Sequence, residues 1–251
     1  MSGHSKWSSI KHKKGAADKK RGQLFSKLSR ALIVAAREGG ADPSANLALA
    51  NAIEKARSYS MPKDNIDRAI ARGSGADADA DSFEQVVYEG YGPNGVAVIV
   101  EALTDNRNRT AADVRAAFAK HDGNLGGSGA VAWLFERRGV ILVDADRFDE
   151  DELTLAAAEG GADDVERDGS SFRVTSAPEE LTAVREAIEA AGIEVDSAEL
   201  TMVPKTTVNL DDESAAKKTL RLMDALEEND DVQEVYANFD IPEQVMEAVA
   251  T

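Results

Sequence analysis

Hydrophobic positions recur with helical spacing near the start of the chain. Leu24, Leu28 and Leu32 lie four residues apart, which predicts an amphipathic helix that runs to about Arg37 and ends at the two glycines that follow. Residues 1 to about 22 are polar and basic and lack this periodicity. The first helix is therefore expected to begin only after them.

Two further helices are predicted before the pattern changes. Asp42 is a good N-cap with Pro43 at the first helical position, which places the start of the second helix there. Pro62 can open a third helix, and Gly73 lies where a left-handed C-terminal residue is expected. Residues 75–82 are small and acidic and predict a flexible linker after this three-helix bundle.

From Phe83 the pattern becomes that of strands. A hairpin is predicted over Val86–Tyr91 and Val96–Val100, joined by a Pro-Asn-Gly turn. Thr110 and Asp113 have capping-box spacing for a helix that ends near Lys120. The other predicted elements are a strand over Val131–Phe135 and a late block made of a strand over Thr206–Leu210, a helix over Ser214–Glu227 and a strand over Val232–Phe239.

Residues 139–203 have the order β-α-β-β-α-β, which is that of a ferredoxin-like unit. The first helix starts near Asp149 and a hairpin turns at Gly169. Ser176 and Glu179 have capping-box spacing for a second helix from Pro178, which Gly192 ends. We predict a multi-domain α+β fold. Its domains are a basic arm plus helical bundle over 1–75, a split α/β middle domain over 82–137 and 204–251, and an inserted ferredoxin-like βαββαβ domain over 138–203.

Basic charge is segregated at the N-terminus. The formal net charge is -17, yet the first forty residues carry ten Lys and Arg against two acids, a local +8 that leaves -25 on the rest. A basic segment on an otherwise acidic chain is typical of a protein that docks on a polyanion. Nucleic acid is therefore the leading predicted partner.

The basic segment supplies the predicted nucleic-acid contacts. Its lysines fit no single helical face, so order could arrive with the partner. Trp7 could stack on an unpaired base or fold back on the helical bundle. The segment could instead be a solvated tail or be neutralised by the chain's own acids, although screening over about 8 Å opposes complete neutralisation. The predicted contacts are His4, Lys6, Trp7, Lys11, His12, Lys13, Lys14, Lys19, Lys20, Arg21, Lys27 and Arg30.

A second basic feature lies between a predicted strand and a predicted helix. Two guanidiniums beside a helix N-terminus suit a phosphate or a carboxylate. They could equally pair with neighbouring acids such as Glu101. The residues of this second, weaker contact are Asn106, Arg107, Asn108 and Arg109. A glycine cluster at 123–129 fits an ordinary turn better than a loop of close approach, and matches no nucleotide-binding pattern.

Composition excludes several classes of protein. The chain has no Cys, which removes disulfides, thiolate metal sites and thiol nucleophiles and favours a reducing cytoplasm. No run reaches the roughly 18 apolar residues of a membrane span. The His residues lack metal-site spacing, the many acids single out no acid–base pair, and no Ser lies in a nucleophile-elbow context. We predict a monomeric cytoplasmic protein with no membrane contact, no metal, no cofactor and no enzymatic activity.

The chain also resembles the YebC/PmpR family. The segment GHSKWSSIKHKK at residues 3–14 is similar to the opening of that family, and further segments resemble its middle-domain motifs. These are YEGYGP at 88–93, LTDNRNRT at 103–110, GNLG at 123–126 and FER at 135–137. The resemblance implies three domains and no catalysis. It also implies that the arm and residues 106–109 are the contacts.

The resemblance leaves two partners open. Bacterial members of the family are described as DNA-binding transcriptional regulators, whereas other members and the mitochondrial translational activator of cytochrome c oxidase act on the ribosome. A basic arm with one aromatic residue and no clear recognition helix favours irregular RNA. We rank a ribosome-associated or RNA-associated translation factor first, a DNA-binding transcriptional regulator second, and an acidic protein-interaction module third.

Overall fold

The computed structural model describes residues 18–75 and 83–250 of the chain. The basic segment before Asp18 and most of the predicted linker, residues 76–82, lie outside the described residues. The fold is a multi-domain α+β architecture: an N-terminal helical unit is followed by two four-stranded antiparallel sheets with helices between their strands. This confirms the predicted fold class.

The helical unit contains three helices. They are α1 (Asp18–Gly39), α2 (Leu47–Ser58) and α3 (Lys63–Gly73). Their shared core includes Leu32, Leu49, Ile53 and Ile66. The prediction of no helix before about residue 22 is wrong, since α1 already begins at Asp18. Its first turn is polar and has no apolar face from which periodicity could be detected.

The start of α2 differs from the prediction because another residue caps it. Asn46, not Asp42, is the N-cap: its Oδ1 accepts from the Leu49 backbone N–H at 3.1 Å. The buried Asn46 amide donates to the carbonyls of Ala35 and Gly40 at 2.7 and 2.8 Å. These bonds tie the helix start to the end of α1, which a local pattern does not reveal.

Gly73 is helical rather than left-handed, so its predicted role is also wrong. It is the last residue of α3, and the positive φ of +90° belongs to Gly75. A Cβ on Gly73 would lie 2.3 Å from the carbonyl oxygen of Ile33 on α1. The glycine is needed here for the close approach of two helices.

The middle sheet has the strand order β3-β1-β2-β9. Its strands are β1 (Glu84–Tyr91), β2 (Ala97–Thr104), β3 (Asn124–Leu125) and β9 (Val232–Ala237). The helices α4 (Arg107–Lys120), α7 (Glu213–Glu227) and α8 (Glu243–Ala250) accompany this sheet, and so does a short parallel pair formed by β8 (Val208–Asn209) and β10 (Phe239–Asp240). Phe118 and Met223 are fully buried in the core shared by the sheet and these helices.

The strand predicted over Val131–Phe135 is absent. Ala132–Leu134 forms a 3₁₀ turn instead, and the strand β4 (Phe135–Asp144) follows it. The backbone N–H groups of Val131 and Ala132 donate to the Glu89 carboxylate, so they are not available to a strand partner. Val131 and Phe135, on either side of the turn, are the residues of this segment that are buried in the core.

The second sheet is the ferredoxin-like unit. Its elements are β4 (Phe135–Asp144), α5 (Glu150–Glu159), β5 (Asp164–Asp168), β6 (Ser171–Ser176), α6 (Leu181–Ala190) and β7 (Ser197–Pro204). The spatial order β5-β6-β4-β7 with antiparallel pairing is that of the predicted βαββαβ unit. β4 runs across position 138, where the predicted insertion begins, and the predicted domain boundaries stay a prediction.

Two helix starts are predicted in this unit, and one of them is confirmed while the other is wrong. The helix α5 starts where predicted, and Asp149 is its N-cap, which accepts from the N–H groups of Asp151 and Glu152. The predicted capping box of α6 is wrong: the helix starts at Leu181, and the Ser176 hydroxyl donates to the Ala177 carbonyl. Ser176 lies at the end of β6 and is buried there, so it cannot reach the helix start.

Candidate nucleic-acid interface

Most of the predicted arm lies outside the described residues. This holds for His4, Lys6, Trp7, Lys11, His12, Lys13 and Lys14. Lys19, Lys20 and Arg21 lie in the first turn of α1, and the Arg21 side chain is exposed. The basic segment therefore leads directly into a helix that is packed on the body of the protein.

The two predicted contacts further along α1 lie against the middle sheet. Lys27 Nζ donates to the Glu227 carbonyl at the end of α7. Arg30 Nη1 donates to Asp231 Oδ1 at 2.8 Å, and its guanidinium lies 5.4 Å from the centroid of the Phe83 ring. These contacts hold α1 against the turn between α7 and β9. Nucleic-acid binding by Lys27 and Arg30 stays a prediction.

The second predicted contact surrounds the start of α4. Asn106 is the N-cap, since its Oδ1 accepts from the Arg109 backbone N–H at 3.1 Å. Arg109 Nη2 donates to Asp105 at 2.7 Å and to Asp231 at 2.9 Å. Arg107 is 67 % exposed, with Glu84 3.7 Å away, and Asn108 is exposed. Asn106 and Arg109 are exposed as well, but their side chains are engaged in the hydrogen bonds given above.

The capping box predicted at the start of α4 is wrong. The helix begins three residues earlier, and Thr110 is buried rather than being a capping residue. Its hydroxyl donates to Asp231 Oδ2 at 2.7 Å, and the Thr104 hydroxyl lies 3.2 Å from the same oxygen. Thr110 donates to a buried carboxylate instead of capping the helix. Its spacing to Asp113 in the sequence is nevertheless that of a capping box.

Asp231 is therefore the centre of a junction that joins the two predicted contact regions. We name this set, Asp231 with Arg30, Arg109, Thr104 and Thr110, the Asp231 junction. The Asp231 side chain is 6 % exposed, and both of its oxygens accept hydrogen bonds. Two guanidiniums from elements far apart in the chain converge on one buried carboxylate.

The electrostatics of this junction favour the ionised acid. Desolvation acts to raise the pKa of Asp231, but the hydrogen bonds from Thr110 and Arg109 and the charges of Arg109 and Arg30 outweigh it, so the pKa is lowered. The pKa of Arg109 is raised by its bonds to Asp231 and Asp105. The junction remains an ion pair over the physiological pH range.

A second junction lies along β9, where the helical unit also meets the ferredoxin-like unit. Lys55 on α2 forms an ion pair with Glu234, and the like-charged Glu101 lies opposite Glu234 in the sheet register. Glu199 on β7 and Arg137 on β4 also act on this group electrostatically. We name these five residues the Glu234 junction.

Carboxylates outnumber cations in the Glu234 junction. Desolvation and the charge of Glu234 raise the pKa of Glu101, and desolvation raises the pKa of Glu199. Desolvation acts to lower the pKa of Lys55, but the Glu234 carboxylate reverses this and the pKa is raised. This site therefore holds acids that favour protonation more than usual.

The sequence did not identify Asp231 or Lys55 as residues that join the units. Asp231 follows three other polar or acidic residues, and the partner Arg30 is 201 positions away. Lys55 and Glu234 are separated by 179 positions. No local pattern marks such pairs, because the acids of this chain are too numerous for one of them to be singled out.

The described residues contain no candidate metal centre: residues 18–75 and 83–250 bring together no group of three or more His, Asp and Glu that could hold an ion. His121 is the C-cap of α4, a structural position. Within the same ranges, each helix is too short or too polar to cross a bilayer.

A helical unit, a four-stranded middle sheet and a ferredoxin-like unit, with ion pairs between them, define a multi-domain α+β class of protein. Residues 5–76 match the profile of the TACO1/YebC protein N-terminal domain, and residues 83–239 match that of the TACO1/YebC second and third domain. The chain belongs to the TACO1/YebC family and is a non-enzymatic regulatory protein of that family. The suspected resemblance is confirmed.

Full-length relatives carry a common description. A protein of Rubrobacter xylanophilus is 64 % identical over 250 residues and covers 100 % of both chains, and one of Halothermothrix orenii is 54 % identical over 99 % of both. Each is described as a probable transcriptional regulatory protein. The crystal structure of a conserved hypothetical protein from Aquifex aeolicus is similar, with a TM-score of 0.80 and 50 % identity over 90 % of this chain and 93 % of that chain.

Proposed function

We propose that the chain is a nucleic-acid-binding regulator of transcription, with promoter DNA as its partner. The observation that carries the proposal is the local charge of +8 in the first forty residues of a chain with a net charge of -17. This charge concentrates attraction for phosphates at one end of an acidic body, which repels a polyanion elsewhere.

The contacts between α1 and the body of the protein support the proposal that the basic segment binds phosphates. Lys27 and Arg30 hold the helix to the turn between α7 and β9, so the helix that follows the basic segment in the sequence is fixed to the body of the protein. Arg21, Arg107 and Asn108 supply exposed polar groups on the folded body. In this proposal the basic arm binds the phosphates, and the start of α4 makes a second, weaker contact with the nucleic acid.

The names of the relatives change the ranking of partners. The sequence favoured a translation factor on the ribosome, whereas the full-length relatives are described as probable transcriptional regulators. We therefore place transcription first and treat ribosome binding as a competing outcome of the test. The predicted domain boundaries, the monomeric state and the cytoplasmic location form part of the same proposal.

The test compares two charge-reversal variants at matched salt. The arm variant is Lys11→Glu, Lys13→Glu, Lys14→Glu, and the control reverses three exposed cations of α7 with Lys217→Glu, Lys218→Glu, Arg221→Glu. Both change the net charge equally. The arm variant should lose promoter-fragment binding and flatten the log-log salt slope by about 3, at roughly 0.9 per lost phosphate contact. The α7 variant should bind like the wild type.

Three results would count against the proposal. Equal loss in both variants means that only net charge matters. No loss in either means that the arm does not hold the nucleic acid. Binding of the wild type to ribosomes, with none to promoter fragments at the same salt, would replace transcription by translation.

A further inference from the structure

An aromatic surface lies beside the glycine-rich loop. Trp133 is 66 % exposed and Tyr91 is 38 % exposed, and Val87 lies on the same face of β1 as Tyr91. These are three of the five large hydrophobic residues that are exposed in the described ranges. A tryptophan side chain exposed to this degree loses the stabilisation that burial of its large apolar area would provide.

The loop that carries Trp133 is rigidly held. Glu89, a buried residue of β1, accepts hydrogen bonds from the backbone N–H groups of Gly129, Val131 and Ala132 at 2.7, 2.8 and 2.7 Å. Desolvation acts to raise the pKa of Glu89, but these three donors lower it overall. Gly129 has φ of +82°, which a glycine adopts without strain. The exposed indole is thus mounted on a fixed support.

The two aromatic rings are oriented by one acceptor. Trp133 Nε1 donates to the Ala130 carbonyl at 3.2 Å, and the Tyr91 hydroxyl donates to the same oxygen at 3.1 Å. These bonds engage the polar atoms at the ring edges. What the rings offer to a ligand is therefore their apolar, aromatic surface.

The surroundings are open and include an exposed lysine. A Cβ on Gly127 would meet nothing within 4 Å, so a ligand can approach the loop backbone. The backbone N–H of Lys205 donates to the Leu134 carbonyl at 2.8 Å, which places this exposed lysine beside the turn that carries Trp133. In the described part of the chain its ammonium forms no ion pair with a carboxylate. An aromatic surface next to an unneutralised cation matches a base and its phosphate.

We propose that Trp133 and Tyr91 stack on an unpaired nucleobase of a single strand, with Lys205 at its phosphate. This inference rests on the proposed function, since it assumes that the chain binds nucleic acid. It adds a contact at the middle sheet that is made by residues other than those of the basic arm. It also adds a preference for locally unpaired strands, because the faces of paired bases are covered by their neighbours in the stack.

The chain allows a direct optical test. It has two tryptophans, so Trp7→Phe leaves Trp133 as the sole indole. Titration of this variant with a single-stranded oligonucleotide should quench its tryptophan fluorescence, and the duplex of the same sequence at the same salt should quench it less. Unchanged fluorescence at saturating single strand, or equal quenching by the duplex, overturns the proposal.

Binding measurements supply the matched control. Trp133→Ala should weaken single-strand binding by about tenfold, the loss of one stacked base, whereas Leu155→Ala removes an equally exposed apolar side chain and should change nothing. Trp133→Phe should restore part of the affinity. Lys205→Ala should reduce the log-log salt slope by about 0.7. Melting temperatures of all variants identify any loss of folding.

These results separate the inference from the function on which it rests. If the arm variant loses nucleic acid while Trp133→Ala and Leu155→Ala bind alike, the aromatic site is wrong and the regulator stands. If the wild type binds neither single strands nor duplexes, both fail.

Discussion

Two junctions join the helical unit to β9 and the residue before it. They differ in how deeply the acid is buried and in how its oxygens are satisfied. Asp231 and Glu234 are three residues apart, and each receives a cation from a helix of the N-terminal unit. Asp231 is 6 % exposed and is satisfied by two guanidiniums and a hydroxyl. Glu234 is 40 % exposed, receives Lys55, and lies opposite another carboxylate.

This difference in burial and in hydrogen-bond partners indicates which of the two junctions contributes more to stability. A buried acid is stable when charged donors and hydroxyls satisfy its oxygens, and is costly when a donor is removed. A half-exposed pair in an acid-rich setting gains less, because solvent screens it and neighbouring carboxylates repel. We expect the Asp231 junction to dominate the stability of the interface between the units.

The largest loss of stability is expected for the substitution Asp231→Ala. It removes the buried carboxylate that accepts hydrogen bonds from Arg30, Arg109 and Thr110, which should lower the free energy of unfolding by about 3 kcal/mol. Denaturation by urea measures this loss. Asp230→Ala is the control, since Asp230 is exposed and contributes only its backbone carbonyl to Arg30. A comparable loss in both variants would contradict the proposed dominance of the junction.

The pH dependence of Asp231→Asn is the next test. Because the pKa of Asp231 is lowered by folding, its ionised form stabilises the protein above the unfolded value of about 3.8, and this contribution is lost as the pH falls through the folded value. The wild type should exceed the variant in stability at pH 7, and the two should converge as the pH falls below 4. Urea titrations across this range give the difference at each pH. A constant difference would show that charge plays no part.

Glu101→Gln should have a smaller effect of the opposite sign. The raised pKa of Glu101 means that its folded form is favoured when protonated, so stability is full below the unfolded value of about 4.5 and is lost as the pH rises through the folded value. Removal of the charge should stabilise the protein at pH 7 by about 0.5 kcal/mol, and this gain should vanish at pH 4. The same denaturation series measures it, and a loss of stability at pH 7 would refute the reasoning.

The smallest effect is expected at the exposed pair that links α6 to α2. Arg185 Nη1 lies 2.6 Å from Glu54 Oε1, but both side chains are more than a third exposed. Arg185→Ala should therefore change the free energy of unfolding by about 0.5 kcal/mol or less, with most of the effect gone at 1 M salt. A larger loss would place this pair with the Asp231 junction rather than with surface ion pairs.

Local patterns predicted the elements better than their ends. The βαββαβ order, the hairpin and the helices of residues 18–75 are present as predicted, because apolar periodicity reports the face that each element buries. The predicted starts of α2, α4 and α6 are wrong, since the aspartate, threonine or serine at each predicted cap forms other hydrogen bonds. Thr110 supports Asp231, and Asn46 caps α2 while it binds α1.

The sequence predicts where the basic charge of the candidate site is concentrated. It does not predict which acids these cations pair with. The segregation of basic residues can be counted from the sequence, and it indicates a polyanionic partner. That Arg30 and Arg109 meet at one acid depends on contacts more than 120 positions apart along the chain. The sequence pattern predicts that Trp133 lies in a strand, whereas its exposure depends on the turn that Glu89 holds.

By itself the sequence determined the class of fold, the order of the elements and the end of the chain where basic charge is concentrated. These properties follow from periodicity and net charge, which are sums over neighbouring residues. Tertiary structure alone decided which cations are neutralised and which remain open to a ligand. An ion pair needs two side chains within a few ångströms, and that distance is set by how the units pack.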